Sequence, residues 1–185
     1  MLEFAEIKFD FQDEVNRTRR ASGLDKNASR SKPRLKFIHH VYVLDLLDLK
    51  KTGKFMPHDT GYRGIELSED QFQFIYDIVL VHEKVFVQMV FSRKYINGYQ
   101  KAFGKVSRNE TVKVHQYELR LLKIPALNAE IFWMASKAKD LQDEIYPLGS
   151  LLNLEEDRLY HFDYFFDVIQ SFASNYNVRG NLFGG

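Results

Sequence analysis

The sequence predicts an α+β fold: an antiparallel sheet, its strands mainly within residues 85–148, covered by helices. Three observations lead there. The chain has 185 residues, 45% of them apolar and 15% aromatic, enough to bury roughly 70% of the surface its unfolded form exposes. Strand-like alternation concentrates in the third quarter, and apolar residues at helical spacing stand on either side of it. Helices gathered around a run of short strands pack most simply as layers on an antiparallel sheet.

Taken in order, Phe4, Ile7, Phe11 and Val15 keep helical spacing, although Ile7, Phe9 and Phe11 also alternate as a strand does, and the spacing favours a helix within 2–15. Thr18 to Lys32 holds one Leu among small, polar and basic residues. It buries too little to offset its ordering entropy and reads as a mobile basic loop over about 17–34. Leu35 to Leu49 is apolar enough for a helix or a buried strand, and Lys50-Lys51-Thr52-Gly53 stops it. Met56 to Gly64, with Pro57, Gly61 and Gly64, reads as a loop.

Ser68-Glu69-Asp70-Gln71 has the form of a capping box. The apolar positions from Phe72 through Ile75, Val79, Phe86 and Met89 to Ile96 then predict an amphipathic helix ended by Asn97-Gly98. A shorter helix followed by a buried strand from Val85 to Phe91 fits the β-branched content of the same segment. Thr111 to Ile124 predicts a strand whose change of phase implies a bulge near His115 or Gln116, with Pro125 at its end. Ala129–Ser136 predicts a second strand packed on both faces, and Glu144–Leu148 a short third. Asn153 with Glu156 opens a last helix bearing the stripe Leu159, Phe162, Phe166, Ile169 and Ala173, and residues 179–185 form a glycine-rich tail. The whole, 1–185, reads as one domain. By architectural analogy a cystatin-like wrap of the curved sheet around a helix satisfies this order of elements.

The chain has no cysteine, which removes disulfides, thiolate nucleophiles and sulfur-ligated metals. Met1 to Asp10 lacks a signal-type apolar run, and no stretch approaches the length of a membrane span, so a cytoplasmic protein without membrane contact is expected. The net charge of +1 conceals a split. Residues 1–16 carry five acids and one lysine, whereas residues 17–36 carry Arg17, Arg19, Arg20, Lys26, Arg30, Lys32, Arg34 and Lys36 against Asp25 alone.

That basic block is the strongest functional candidate: eight cations could neutralise several phosphates of a nucleic acid, while the absence of interleaved aromatics argues against base stacking. Its plain alternative is a solvated loop balancing the acidic start. Gly98 to Val106 fails as a phosphate loop, with five residues between its glycines and Val106 where a hydroxyl is needed. The six histidines, His39, His40, His58, His82, His115 and His161, include no pair at chelating helical spacing. Asp163 and Asp167 lie at i, i+4 and could share a proton or hold a cation, or simply form a wet acidic face. The terminal Gly184-Gly185 follows a predicted helix and reads as a frayed end.

These readings leave three function classes. The first is a cytosolic binding or assembly module without evident catalytic chemistry or cofactor, probing for a partner through its aromatic surface and forming a homo-oligomer. The second is nucleic-acid binding through 17–36. The third is an enzyme whose His and Asp site is assembled from distant segments.

Overall fold

The computed structural model describes residues 1–23 and 34–176. Its elements run β1 (Leu2–Glu3), α1 (Gln12–Ala21), β2 (Leu35–Val43), α2 (Leu46–Thr52), β3 (His58–Ser68), β4 (Gln71–Val81), β5 (Lys84–Val90), α3 (Arg93–Arg108) and α4 (Glu110–Val114). They continue with β6 (Tyr117–Ile124), β7 (Ala129–Ser136), β8 (Glu144–Pro147), β9 (Tyr160–His161) and α5 (Phe162–Asn175). The fold is mixed α and β around one mostly antiparallel sheet, in the order β5-β4-β3-β2-β6-β7-β8-β9.

Two pairings are parallel. β2 runs alongside β6 from His40↔Arg120 to Val43↔Lys123, reached by a crossover through β3, β4, β5, α3 and α4. The short β1 pairs Leu2 with Tyr117 on the same side of β6, and Ala5 N–H then donates to Ile38 O at 2.7 Å. The N-terminus thereby fills the gap between β2 and β6 ahead of their ladder.

The alternation along β6 explains why both faces carry helices. Leu119 and Leu121 pack with Ile96, Tyr99 and Val106 of α3, and Leu122 and Ile124 pack with Leu46 and Leu49 of α2 and Phe165 and Ile169 of α5. Farther along the second face, Val15 of α1 is buried against Tyr76, Ile78 and Met89. Helices therefore lie on both faces rather than one, and a cystatin-like wrap around a single helix does not emerge.

Several sequence expectations are corrected. The strands are not mainly within 85–148, because the long β2, β3 and β4 precede that range. Ser68–Gln71 is not a helix start: Glu69 and Asp70 take φ of 49° and 62° in the turn between β3 and β4, the left-handed pair a two-residue hairpin needs. Met56–Gly64 is not a loop either. Gly61 stands in β3 with φ 139°, and a Cβ there would lie 2.3 Å from Ile78 O, so the glycine permits strand contact rather than breaking it.

The expected helix over 72–96 is a hairpin, β4 and β5, with His82 and Glu83 at φ 46° and 64° in its turn; of the two readings of that segment, the strand from Val85 is the one found. Asn97-Gly98 lies inside α3. The change of phase near His115 is the passage from α4 to β6. Residues 17–21 of the expected basic loop are helical and 22–23 form a turn, while 24–33 of that loop, with the tail 179–185, lie outside the described residues. Strands at 129–136 and 144–147 and the last helix's buried Ile169 and Ala173 match the sequence reading, although that helix begins at Phe162 rather than Asn153. Among the described residues, no helix is long and apolar enough to cross a membrane.

Candidate functional site

On the face of the sheet under α3, five strands deliver polar side chains to one place. Arg63 of β3 stands opposite Asp77 of β4 in the ladder, and Lys123 of β6 opposite Glu130 of β7. Paired residues share a face, and that face receives the N-terminal half of α3. Ser92 caps α3 by accepting from Tyr95 N–H at 3.3 Å, which sets Tyr95, and Tyr99 one turn on, over the charges.

Arg63 is 2% exposed and organises the cluster. Its Nε and Nη2 donate to the two Asp77 oxygens at 2.6 and 2.9 Å, a bidentate geometry that only the planar guanidinium supplies. Nη1 and Nη2 donate to Glu130 at 3.0 and 3.2 Å. Tyr95 hydroxyl contacts both Arg63 Nη1 and Glu130 Oε2. The guanidinium carbon also sits 5.7 and 5.3 Å from the ring centres of Tyr95 and Tyr99. Lys123 Nζ completes the quartet, 2.9 Å from Asp77 Oδ2 and 3.6 Å from Glu130 Oε1.

His39 joins from β2. A bulge shifts the register between Lys36 and His39, with Phe37 at φ 51°, and this aims the imidazole inward. His39 Nδ1 donates to Phe37 O at 2.7 Å, so Nε2 is the acceptor for Tyr99 hydroxyl at 2.6 Å. Complete burial pulls the imidazole down to about 4, leaving it neutral at physiological pH.

Asp77, Glu130, Tyr95 and Tyr99 are displaced from their ordinary values too. Burial works to raise Asp77, but the hydrogen bonds and charges of Arg63 and Lys123 outweigh it and bring the carboxyl down to about 2. Glu130 is lowered in the same contest, chiefly by Arg63. Burial raises Tyr95 and Tyr99 far beyond the usual phenol range. Two acids held charged, their two basic partners and two phenols held protonated thus form one hydrogen-bonded assembly.

A cleft of about 450 Å³ opens beside it, lined by Tyr95, Lys123 and Glu130, with Pro125, Ala129 and Leu148 as its apolar wall. Asn128, Gly149 and Ser150 also border it. The Pro125–Leu127 turn, closed by Asn128 at φ 48°, builds one side. The chain leaving β8 builds the other, held by Leu148 N–H donating to Glu130 O at 3.0 Å.

Arg63, Asp77, Tyr95, Lys123 and Glu130 are not among the residues the sequence nominates. Their signal is nonetheless present: each charge interrupts a strand at the parity of its buried neighbours, as Asp77 does between Ile75 and Val79. The nominated residues are distributed elsewhere. Arg19 of the basic block is buried and ion-paired with Glu66 at 3.3 Å, and Arg17 pairs with Glu14 at 2.9 Å. Arg20 closes the same helix, Arg34 and Lys36 sit exposed at the start of β2, and Lys26, Arg30 and Lys32 lie outside the described residues.

Among the histidines, His40 pairs with Asp59 at 2.7 Å on the opposite face of the sheet from His39. His161 pairs with Glu144 at 3.0 Å. His58, His82 and His115 are exposed, as are Asp163 and Asp167 on α5, where Asp163 accepts from Gln142 at 2.7 Å. Among the described residues, no group of three or more His, Asp or Glu side chains could hold a metal ion. No family model, no curated protein and no solved structure matches this chain.

Proposed function

We propose that this protein is a binding module whose cleft beside Arg63 takes a small polar ligand. The observation that carries this reading is the position of Lys123, Glu130 and Tyr95: all three belong to the buried ionic assembly and all three line the cleft of about 450 Å³. Ligand sites combine an apolar wall with a few fixed polar groups, and here each polar group is held by partners behind it. The displaced ionisations favour holding over proton transfer. A general acid or base works best with its pKa near the working pH, whereas His39 sits near 4 and Asp77 near 2.

The test uses a plug that leaves the ionic assembly intact. Gly149 borders the cleft and a Cβ there has no atom within 4 Å, so Gly149→Leu adds bulk at the border of the cleft without a clash at its Cβ. Thermal-shift screening of amino acids, sugars and small organic acids is expected to find a compound that stabilises the wild type and not Gly149→Leu. Equal stabilisation of both proteins, or none of the wild type across all three classes, overturns the reading.

A second reading, self-association, is supported by the β4–β5 edge. There Leu80, Val81 and Phe86 are 47%, 43% and 55% exposed, Leu80 on one side of the edge hairpin and Val81 and Phe86 on the other. The cleft and this edge are separate places, so the two readings are independent.

A further inference from the structure

Resting on the cleft reading, we infer that the ligand is a zwitterion of the α-amino-acid type, its carboxylate meeting Lys123 and its ammonium meeting Glu130. The cleft presents one cation and one anion, Lys123 Nζ and Glu130 Oε1, 3.6 Å apart. The charges behind them are also balanced: Arg63 and Asp77 pair bidentately, and neither lines the cleft. Two cations therefore face two anions, and the assembly sums to zero.

That balance separates the ligand classes. A purely anionic ligand gains at Lys123 but places its charge against Glu130, and a purely cationic one meets the reverse conflict; each leaves an uncompensated charge in a site partly shielded from water. An apolar ligand covers both charges and strips their water without replacing it. A zwitterion offers each group its opposite and leaves the total unchanged. The bonds it forms are charge-assisted at both ends, roughly twice as strong as neutral ones.

The rest of the cleft fits the rest of such a molecule. An α-amino acid carries its two charges on one carbon, matching the adjacency of Lys123 and Glu130. Its side chain is then directed along Pro125, Ala129 and Leu148, which favours an apolar one.

Calorimetric titration of the full chain with free leucine, N-acetyl-leucine, leucine amide and a neutral sugar tests the inference. Free leucine is expected to bind, with acetylation or amidation each weakening it by about tenfold or more, as loss of one charge-assisted contact requires. Lys123→Met is expected to remove the distinction between the free acid and its amide. Because the blocked ligands probe the unaltered protein, the outcome does not depend on that variant folding. If the blocked forms bind as well as free leucine, or only the sugar binds, the zwitterion is wrong; the cleft itself survives if Gly149→Leu abolishes that binding. If none of the four binds, the zwitterion is again wrong, and a wild type that also gives no response in the wider screen retires the cleft with it.

Discussion

Arg63 carries the largest consequence of any single side chain here. Its removal leaves Asp77 and Glu130 facing each other with only Lys123 between them, in a place where unpaired charge is costly. Arg63→Met is therefore expected to destabilise the protein by about 3–5 kcal/mol, read from denaturant unfolding. Arg63→Lys should recover little of this, since an ammonium cannot hold both Asp77 oxygens in a fork. A loss under about 1 kcal/mol for Arg63→Met would mean the pairs are far wetter than their burial implies.

The pH dependence follows from two groups with the same sign. His39 is depressed from 6.5 to about 4, so the unfolded chain takes up its proton first. Its contribution is complete above pH 6.5 and is lost as pH falls towards 4, by about 3 kcal/mol in all. Asp77, depressed from 3.8 to about 2, adds a second loss of about 2 kcal/mol between those values. His39→Gln should abolish the slope between pH 6.5 and 4 and leave the more acidic one. An unchanged slope in that variant would show that His39 is not the group responsible.

At the scale of elements, what the sequence makes legible depends on how many faces are covered. α2 ends at Gly53, which takes φ 64° and donates to Leu49 O at 2.8 Å, as a helix stop in the sequence implies. β7 is readable from its unbroken apolar run, which fits a strand buried on both faces. β4 is not. Phe72 and Ile75 face one layer while Tyr76 and Ile78 face the other, with a register shift between Phe72 and Phe74, so period-two contrast vanishes and a helical spacing arises from the surplus of apolar positions. The site is hidden for a related reason. Arg63, Asp77, Lys123 and Glu130 are far apart along the chain, and only the strand order brings them together; sequence shows each as an isolated charge in an apolar segment.

Glycine misleads in the same way inside α3. Gly98 stands mid-helix, and a Cβ there meets nothing within 4 Å. The helix persists because Ile96, Tyr99, Ala102 and Val106 are buried beneath it, and tertiary packing outweighs propensity. Gly98→Ala is accordingly expected to raise stability by about 1 kcal/mol, measured by thermal or urea unfolding. Destabilisation would indicate that the backbone at 98 needs glycine for a reason other than space.

Across the whole molecule, the two edges of the sheet are treated differently. β9 has two residues and leads directly into α5, so little ladder is left open on that side. β5 is seven residues long and, among the described residues, has a neighbour only in β4. α1 covers part of it, with Thr18 hydroxyl donating to Val87 O at 3.3 Å, which occupies one ladder acceptor and discourages extended strand pairing. The apolar side chains at the hairpin end are a different matter. Val79 stands opposite Phe86 on the face that α3 covers farther up, and Val81 continues that row to the turn, so the hairpin presents a two-sided apolar tip with Leu80 on the reverse. A few side chains fall short of the roughly 800 Å² per partner typical of stable complexes. Self-association through this tip should therefore be weak, reversible and visible in sedimentation equilibrium as a shift towards monomer on dilution. Phe86→Lys should make the protein monomeric at every concentration while leaving its unfolding midpoint nearly unchanged, because Phe86 is more than half exposed already. A wild type that sediments as a strict monomer throughout, or a Phe86→Lys variant that associates as before, would show that the hairpin tip is not an interface between copies.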